Sequence, residues 1–413
     1  MRIFKFGGAS VKDAAGVRNL GKILKDQSHD NLVVIVSAMG KSTNLLENLV
    51  WLKFEGKDFH DKLTLFTNFH NKICFDLFAS IPSSVENWYI QLNADLNNEQ
   101  HDYGLLHDQI VSYGELISTT IIYEFLSLEH DFHWLDVRKV IRTNSIFTEA
   151  NVDWQLTQHF INKEVQPLLK WKSVITQGYI GADFTGNTTT LGREGSDYTG
   201  AVFAHCLNAE SLTVWKDVPG LLNADPKIFP SAEVFTELSF QEVTELTYYG
   251  AKVIHPKTIR PLAQKNIPLF VRSFLDMQAK GTKISNMEKV ADIPCFVFKD
   301  DQCLVTLRVL DTSLMDEKKM VKIFQSLDQA NIKINLMHTS ALTFSFCMDA
   351  DPRKMEKVSS YLKNDFQILY NDQLFLATIK NFDQRSFERL PPMMEIIMEQ
   401  KTRNNYQVIY RAK

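Results

Sequence analysis

The chain has 413 residues, 45% hydrophobic and 23% charged, with a formal net charge of −4. This length can bury a large core and supply more than one domain. A near-neutral balance without a lysine/arginine block excludes an electrostatic footprint for nucleic acid or a membrane surface, and no apolar run reads as a signal peptide or membrane span.

Ile3–Phe6 is an apolar run that reads as a strand, followed by Gly7-Gly8-Ala9-Ser10. Apolar spacing from Val11 to Lys25 predicts a helix with Asp13 near its start, and Leu32–Val36 predicts a buried strand ending at Ser37-Ala38-Met39-Gly40. This β-α-β alternation predicts a doubly wound, mostly parallel sheet. From Thr43 to about Leu128 the pattern is helical. Its aromatic residues Trp51, Phe54, Phe59, Phe66, Phe69, Phe75 and Phe78 read as helix core. Strands return at Phe132–Leu135 and Val174–Gln177, before a stretch rich in glycine and threonine from Gly178 to Gly200. A helix over Tyr198–Leu207, strands at Leu212–Trp215 and Ile267–Val271, and a helix beginning at Glu242 complete the first part.

Composition changes near residue 285, and a boundary is expected at about 286–296. Short strands and helices follow without glycine-rich loops: Leu304–Leu310, helix Asp316–Ala330, Ile334–His338, Leu342–Met348, helix Pro352–Leu362, Gln367–Tyr370 and Leu374–Ile379. A helix around Phe387–Gln400 and a strand Tyr406–Tyr410 close the chain. The strand-helix-strand-strand-helix-strand order predicts a ferredoxin-like α+β region, one complete repeat and an abbreviated second. The scattered cysteines Cys74, Cys206, Cys295, Cys303 and Cys347 lack C-x-x-C spacing and read as reduced, buried thiols of a cytosolic protein. The histidines form no ligand cluster, so no protein-built metal site is expected.

Polar residues at strand ends carry the chemistry. Lys5 before Gly7 and Gly8 can place a charge on phosphates that backbone N–H groups and Ser10 also hold. Arg193 can grip a carboxylate bidentately. Asp197 is equally a residue of a helix first turn, and Asp217-Val218-Pro219-Gly220 is a β-turn.

Taken together, Lys5–Ser10, Ser37–Asn44, Gly114-Glu115, Thr176–Gly181, Gly192–Asp197, Trp215–Pro226 and Gly250–Pro256 resemble aspartate kinase, of the amino-acid kinase family. The blocks stand in the family's order over about residues 1–285. Asn331–Ser340 with Leu342–Asp349 resembles an ACT domain. The resemblance implies a three-layer doubly wound catalytic domain over 1–288 and an ACT-like regulatory region over 296–413. It also implies ATP-dependent phosphorylation of the L-aspartate side-chain carboxylate, opening the route to lysine, threonine and methionine. Another acidic substrate, or a non-catalytic amino-acid sensor, is the alternative. Lys5 and Asp197 are expected to be catalytic, with Asp197 positioning Lys5. Ser37, Thr43, Asn44, Glu115, Arg193 and Ser196 are expected to hold aspartate, with Glu115 on its ammonium and Arg193 on its α-carboxylate. Gly7, Gly8, Ser10, Lys216, Asp217, Asn223, Asp225, Lys227 and Lys252 are expected to hold ATP, with Mg²⁺ arriving on the nucleotide. A cytoplasmic homodimer through the ACT-like region is expected, with neither nucleic acid nor membrane as partner.

The chain departs from the family pattern in places. Ala9 stands for a usual Thr, Glu194 for a Gly and Lys216 for a Thr. In the regulatory part, Leu314–Met320 lacks the usual Gly-Phe pair, and Ser340-Ala341 replaces Ser-Glu. Binding of lysine or threonine as effector is therefore in question.

Overall fold

The computed structural model describes residues 1–26, 32–251, 254–287, 293–311, 313–390 and 394–412. The chain divides into two compact units. The first comprises Met1–Leu221, Val234–Thr247 and Lys252–Ala291; the second comprises Leu222–Glu233, Tyr248–Ala251 and Asp292–Lys413.

The first unit begins with β1 (Arg2–Phe6), α1 (Ala14–Asp26) and β2 (Leu32–Val36). Helices α2 (Ser42–Phe54), α3 (His60–Phe78), α4 (Ser83–Asn97), α5 (Tyr103–Val111) and α6 (Tyr113–Leu126) follow. Next come β3 (Phe132–Leu135), α7 (Trp154–Phe160), β4 (Ser173–Gln177), the hairpin β5 (Ile180–Ala182) and β6 (Thr188–Thr190), α8 (Gly195–Leu207) and β7 (Ser211–Lys216). The unit closes with β8 (Glu237–Ser239), α9 (Phe240–Tyr249), α10 (Pro256–Gln264), β9 (Leu269–Ser273) and β10 (Thr282–Ser285). An eight-stranded sheet runs in the order β3-β4-β2-β1-β7-β9-β10-β8. Its pairings are parallel except for β9 with β10, as the β-α-β alternation predicted.

The central strands are buried on both faces, which is why they read as continuous apolar runs. Phe4 and Phe6 share one face of β1 and meet Trp215, the Phe6 and Trp215 rings lying stacked with centroids 6.0 Å apart. Ile3 and Lys5 occupy the opposite face. Helix α8 comes close to this sheet because Gly200 has no side chain: a Cβ there would lie 3.0 Å from Leu212 Cδ1.

The helical stretch after β2 is present, but its aromatic residues are mostly not core. Phe66 is fully buried, whereas Trp51, Phe54 and Phe75 are about half exposed. Their spacing around α2 and α3 does not keep them on one face, and Leu46, Leu49, Val50, Ile73 and Cys74 line the buried side instead.

The second unit holds β11 (Cys295–Val309), α11 (Glu317–Gln329), β12 (Leu336–Thr339), β13 (Thr343–Asp349), α12 (Pro352–Leu362), β14 (Phe366–Lys380), β15 (Met394–Lys401) and β16 (Asn405–Ala412). Its antiparallel sheet has the order β12-β13-β11-β14-β16-β15. Strands β12-β13-β11-β14 with α11 and α12 form the ferredoxin-like arrangement. Two expectations are corrected here. The separate strands at 367–370 and 374–379 are one long β14, its pairing with β11 interrupted by register shifts near Gln302. The helix expected around Phe387–Gln400 is a short 3₁₀ turn, Gln384–Arg389, followed by strand β15. Pro391-Pro392 removes two backbone donors at that point, and Met394–Lys401 pairs with β16 instead. All five cysteines are buried and free.

Candidate active site

The loops after β1 and β2 are fastened together. The Ser37 N–H donates to the Phe6 carbonyl (3.1 Å) and the Gly40 N–H to the Gly8 carbonyl (3.0 Å). A Cβ on Gly8 would sit 2.3 Å from the Ala38 carbonyl oxygen, so only glycine fits this crossing. Beside these loops lies a cavity of about 670 Å³, within the first unit.

Lys5 projects into it from the C-terminal half of β1. Parallel pairing sets Lys5 against Val214 of β7, so Lys216, two residues further, emerges on the same face. Asp197, in the first turn of α8, meets both. Its Oδ1 lies 2.6 Å from Lys5 Nζ and its Oδ2 3.3 Å from Lys216 Nζ. Burial opposes ionisation of Asp197, but the Lys5 and Lys216 ammonium groups outweigh it and hold the carboxyl below its ordinary range. The set therefore carries two positive charges around one negative charge.

Glu115 enters from α6. Its Oε1 accepts from the Ala38 N–H at 3.3 Å, while its buried Oε2 has no hydrogen-bond partner among the described residues. Burial pushes its carboxyl up to about 8, against the Ala38 hydrogen bond and the charge of Lys5. A buried, half-satisfied carboxylate is a site that an incoming ammonium would complete. Exposed Arg193 lines the same cavity, together with the half-buried Ser37 and Thr43 and the buried Ser196. Ser196 packs closely against Gly178, where a Cβ would lie 2.4 Å from Ser196 Cβ. Glu194 also lines the cavity; it holds φ +54°, and its buried Oε2 lacks a partner among the described residues.

Other expected residues lie elsewhere. Asn44 is exposed, Ser10 is buried beneath the loop, and neither lines the cavity; Gly7 turns the chain by accepting from the Ser10 N–H. Asp217 is exposed just beyond β7. Asn223, Asp225 and Lys227 belong to the second unit. There the Asn223 side chain accepts from the Glu233 N–H (2.8 Å) and donates to the Pro294 carbonyl (3.2 Å), which commits it to holding its own loop. Asp225 accepts from the Lys227 N–H. Lys252 lies outside the described residues.

Sequence reasoning missed Glu47, His107, Thr148 and Tyr179, which also line the cavity. The His107 ring nitrogen Nδ1 is 2.9 Å from Asp108 Oδ1. Asp108 also accepts from the Thr148 N–H, the Thr190 N–H and the Thr190 hydroxyl. A fully buried aspartate with these partners pins α5, β6 and the segment around Thr148 to one point. Asp108 beside His107 was the available signal, but the pair has no meaning until β6 is folded against it.

Residues 1–273 match the model of the amino acid kinase family. The chain is 35% identical over 357 residues to lysine-sensitive aspartokinase 3 of Escherichia coli (strain K12), covering 84% of this chain and 78% of that protein. The chain belongs to the aspartokinases of the amino acid kinase family. E. coli aspartokinase III in complex with aspartate and ADP (R-state) superposes with a TM-score of 0.85 at 29% identity, covering 100% of this aspartokinase and 96% of that chain. The complex of the same E. coli enzyme with lysine and aspartate (T-state) gives 0.79, covering 99% and 95%. The bifunctional aspartokinase/homoserine dehydrogenase of Daucus carota is 30% identical over 300 residues; the match covers 68% of this chain and 32% of that longer protein.

Proposed function

We propose that this aspartokinase transfers the γ-phosphoryl group of ATP to the side-chain carboxylate of L-aspartate at the cavity between Lys5 and Glu115. The single observation that carries this reading is that Lys5, Lys216 and Asp197 share one cavity with Arg193 and the half-satisfied Glu115. An anion-stabilising centre thus faces a pair of groups suited to an amino acid's carboxylate and ammonium.

Arg193 takes the α-carboxylate and Glu115 the α-ammonium, with Ser37, Thr43 and Ser196 completing the substrate lining. The side-chain carboxylate of aspartate is ionised at neutral pH and attacks without a general base. A bond forms between one of its oxygens and the γ-phosphorus while the bond to the β,γ-bridging oxygen breaks, leaving 4-phospho-L-aspartate and ADP. Lys5 neutralises charge on the transferring group and Asp197 holds it in place. Gly8 lets the backbone come close to the phosphates. Among the described residues, no group of three or more acids, histidines or cysteines could hold a metal, and both Asp197 oxygens are on lysines. Mg²⁺ would arrive on the nucleotide and be held chiefly by its phosphates, with few protein ligands.

The product would open the route to lysine, threonine and methionine in the cytoplasm, a compartment in keeping with five buried free thiols. Among the described residues no helix is long and apolar enough to cross a membrane. The second unit is read as an ACT-like regulatory region. With Leu314–Met320 lacking a glycine and Ala341 in place of an acid, lysine is expected to inhibit weakly if at all.

The test is turnover with aspartate in the presence of hydroxylamine, which converts the acyl phosphate to a hydroxamate that iron(III) colours. ADP and hydroxamate should form together with aspartate. ADP formation only with another acid would reassign the substrate. No turnover with any acid, alongside tight amino-acid binding, would make the protein a sensor.

A further inference from the structure

A second cavity in the first unit, of about 590 Å³, lies around Arg142. Val152, Leu156, Phe160 and Phe184 supply apolar walls and Asn151 a polar one. The guanidinium carbon of Arg142 stands 4.9 Å from the centroid of the Phe160 ring. Its Nε is buried without a hydrogen-bond partner, and among the described residues no carboxylate forms an ion pair with it. Asp153 also lines the cavity, but its Oδ1 is occupied in capping α7 through the Leu156 N–H. A stacked guanidinium with an unused buried donor is costly unless an acceptor completes it. Phe184, 83% exposed, sits on a turn that Asp183 fixes by accepting from Thr185, Asn187 and Ser145. Its exposed ring thus lines the cavity from an anchored turn.

We propose that this cavity binds a small carboxylate with an apolar or aromatic body, its carboxylate on Arg142 and its body against Phe184 and Leu156. The volume fits a small molecule, and the chemistry of the walls requires both parts of the ligand.

The same segment reaches the catalytic cavity. The Asp153 N–H donates to the Arg142 carbonyl and the Asn144 N–H to the Asn151 carbonyl, closing the loop 142–153 at the second cavity. Its far end, Thr148, holds φ +69°, donates its N–H to Asp108 and lines the catalytic cavity. Thr143 and Thr189 hydroxyls meet at 2.7 Å, and the Ala150 N–H donates to the Thr190 carbonyl. A ligand on Arg142 therefore acts on one end of a loop whose other end touches the substrate site. The binding site stands independently of the proposed reaction; its coupling to aspartate rests on that reading.

The experiment is ¹⁹F NMR titration of the full chain with 4-fluorobenzoate, with aspartate and ADP saturating the catalytic cavity. 4-Fluorobenzamide serves as the uncharged probe and inorganic phosphate as the anion without a body. Benzoate should bind at least ~10-fold more tightly than benzamide, and Arg142→Gln should abolish that preference. Phe184→Ala, at a position too exposed to matter for folding, should weaken benzoate roughly 3-fold or more through lost apolar contact. Equal binding of benzoate and benzamide, full competition by phosphate, or wild-type affinity in Phe184→Ala would each overturn the site. The KM for aspartate should shift at least ~2-fold with benzoate in the wild type and not in Arg142→Gln. Benzoate binding with an unchanged KM would overturn the coupling alone.

Discussion

Glu115 shows how one residue can make a site sensitive to pH. Burial raises its carboxyl from 4.5 to about 8, so near neutrality the unliganded protein holds much of it protonated. An ammonium binds the charged form. The KM for aspartate should therefore fall as pH rises toward 8, and Glu115→Gln should raise KM about 10-fold or more and flatten this dependence. Steady-state kinetics from pH 6 to 9 would show it; an unchanged slope in the variant would remove Glu115 from substrate binding. The same shift has a stability consequence of definite sign. The folded protein binds the proton more tightly than the unfolded chain, so this group's contribution declines as pH rises from 4.5 through about 8. Glu115→Gln should accordingly melt higher than the wild type at pH 8 and lose that advantage at pH 5.

Glu194 poses the opposite case, a residue that its backbone does not favour. At φ +54° a side chain costs roughly 1 kcal/mol that glycine avoids, and its buried unpartnered oxygen adds to the cost. Glu194→Gly should raise unfolding free energy by about 1 kcal/mol in urea titration. A lower midpoint would mean that the carboxylate stabilises the loop.

At the level of elements, the strands divide their chemistry between two faces. On β1 and β7, Phe4, Phe6 and Trp215 form the apolar side, while Lys5 and Lys216 emerge on the side of α8. With Lys216 present, the lysine–aspartate set keeps a net positive charge, which the proposed transfer would use on the phosphoryl group. Lys216→Met keeps the length and removes the charge. It should lower kcat about 10-fold or more with little change in the KM for aspartate, and Lys216→Arg should recover part of the loss. Wild-type kcat in the methionine variant would reduce Lys216 to a surface contact.

Much of this level was legible in the residues. Leu-Val-Val-Ile-Val at 32–36 could only be a buried strand, and Pro352–Leu362 was read to the residue. The segment after Phe387 was not, because Pro391-Pro392 breaks a helix there and the pairing of β15 with β16 is a tertiary contact. The aromatic residues of α2 and α3 do not follow the core because hydrophobicity alone does not say which side of a helix meets its neighbours, here each other and α1, α5 and α6.

For the molecule as a whole, β12 and β15 are the outer strands of the second unit's sheet. Met337 on β12 and Val321 and Phe324 on α11 are exposed apolar side chains. Such edges need covering, and a second copy of the chain would cover them. Light scattering at micromolar concentration should give twice the 47.5 kDa chain mass, and Met337→Lys with Val321→Asp should return the protein to a monomer. A wild-type monomer would refute the dimer.

By itself the sequence determined the alternation that makes a parallel sheet, the glycines that let the loops after β1 and β2 cross closely, and the residue blocks that carry the family likeness. Those are local properties: periodicity, conformational freedom and chemical type. Only the tertiary structure decided that Lys5, Asp197 and Lys216 form one charged set, that Asn223 serves its own loop, and that, among the described residues, one Glu115 oxygen has no partner and no carboxylate pairs with Arg142. Each of these depends on distance and burial between segments remote along the chain, and the strength of a charge is set by what surrounds it.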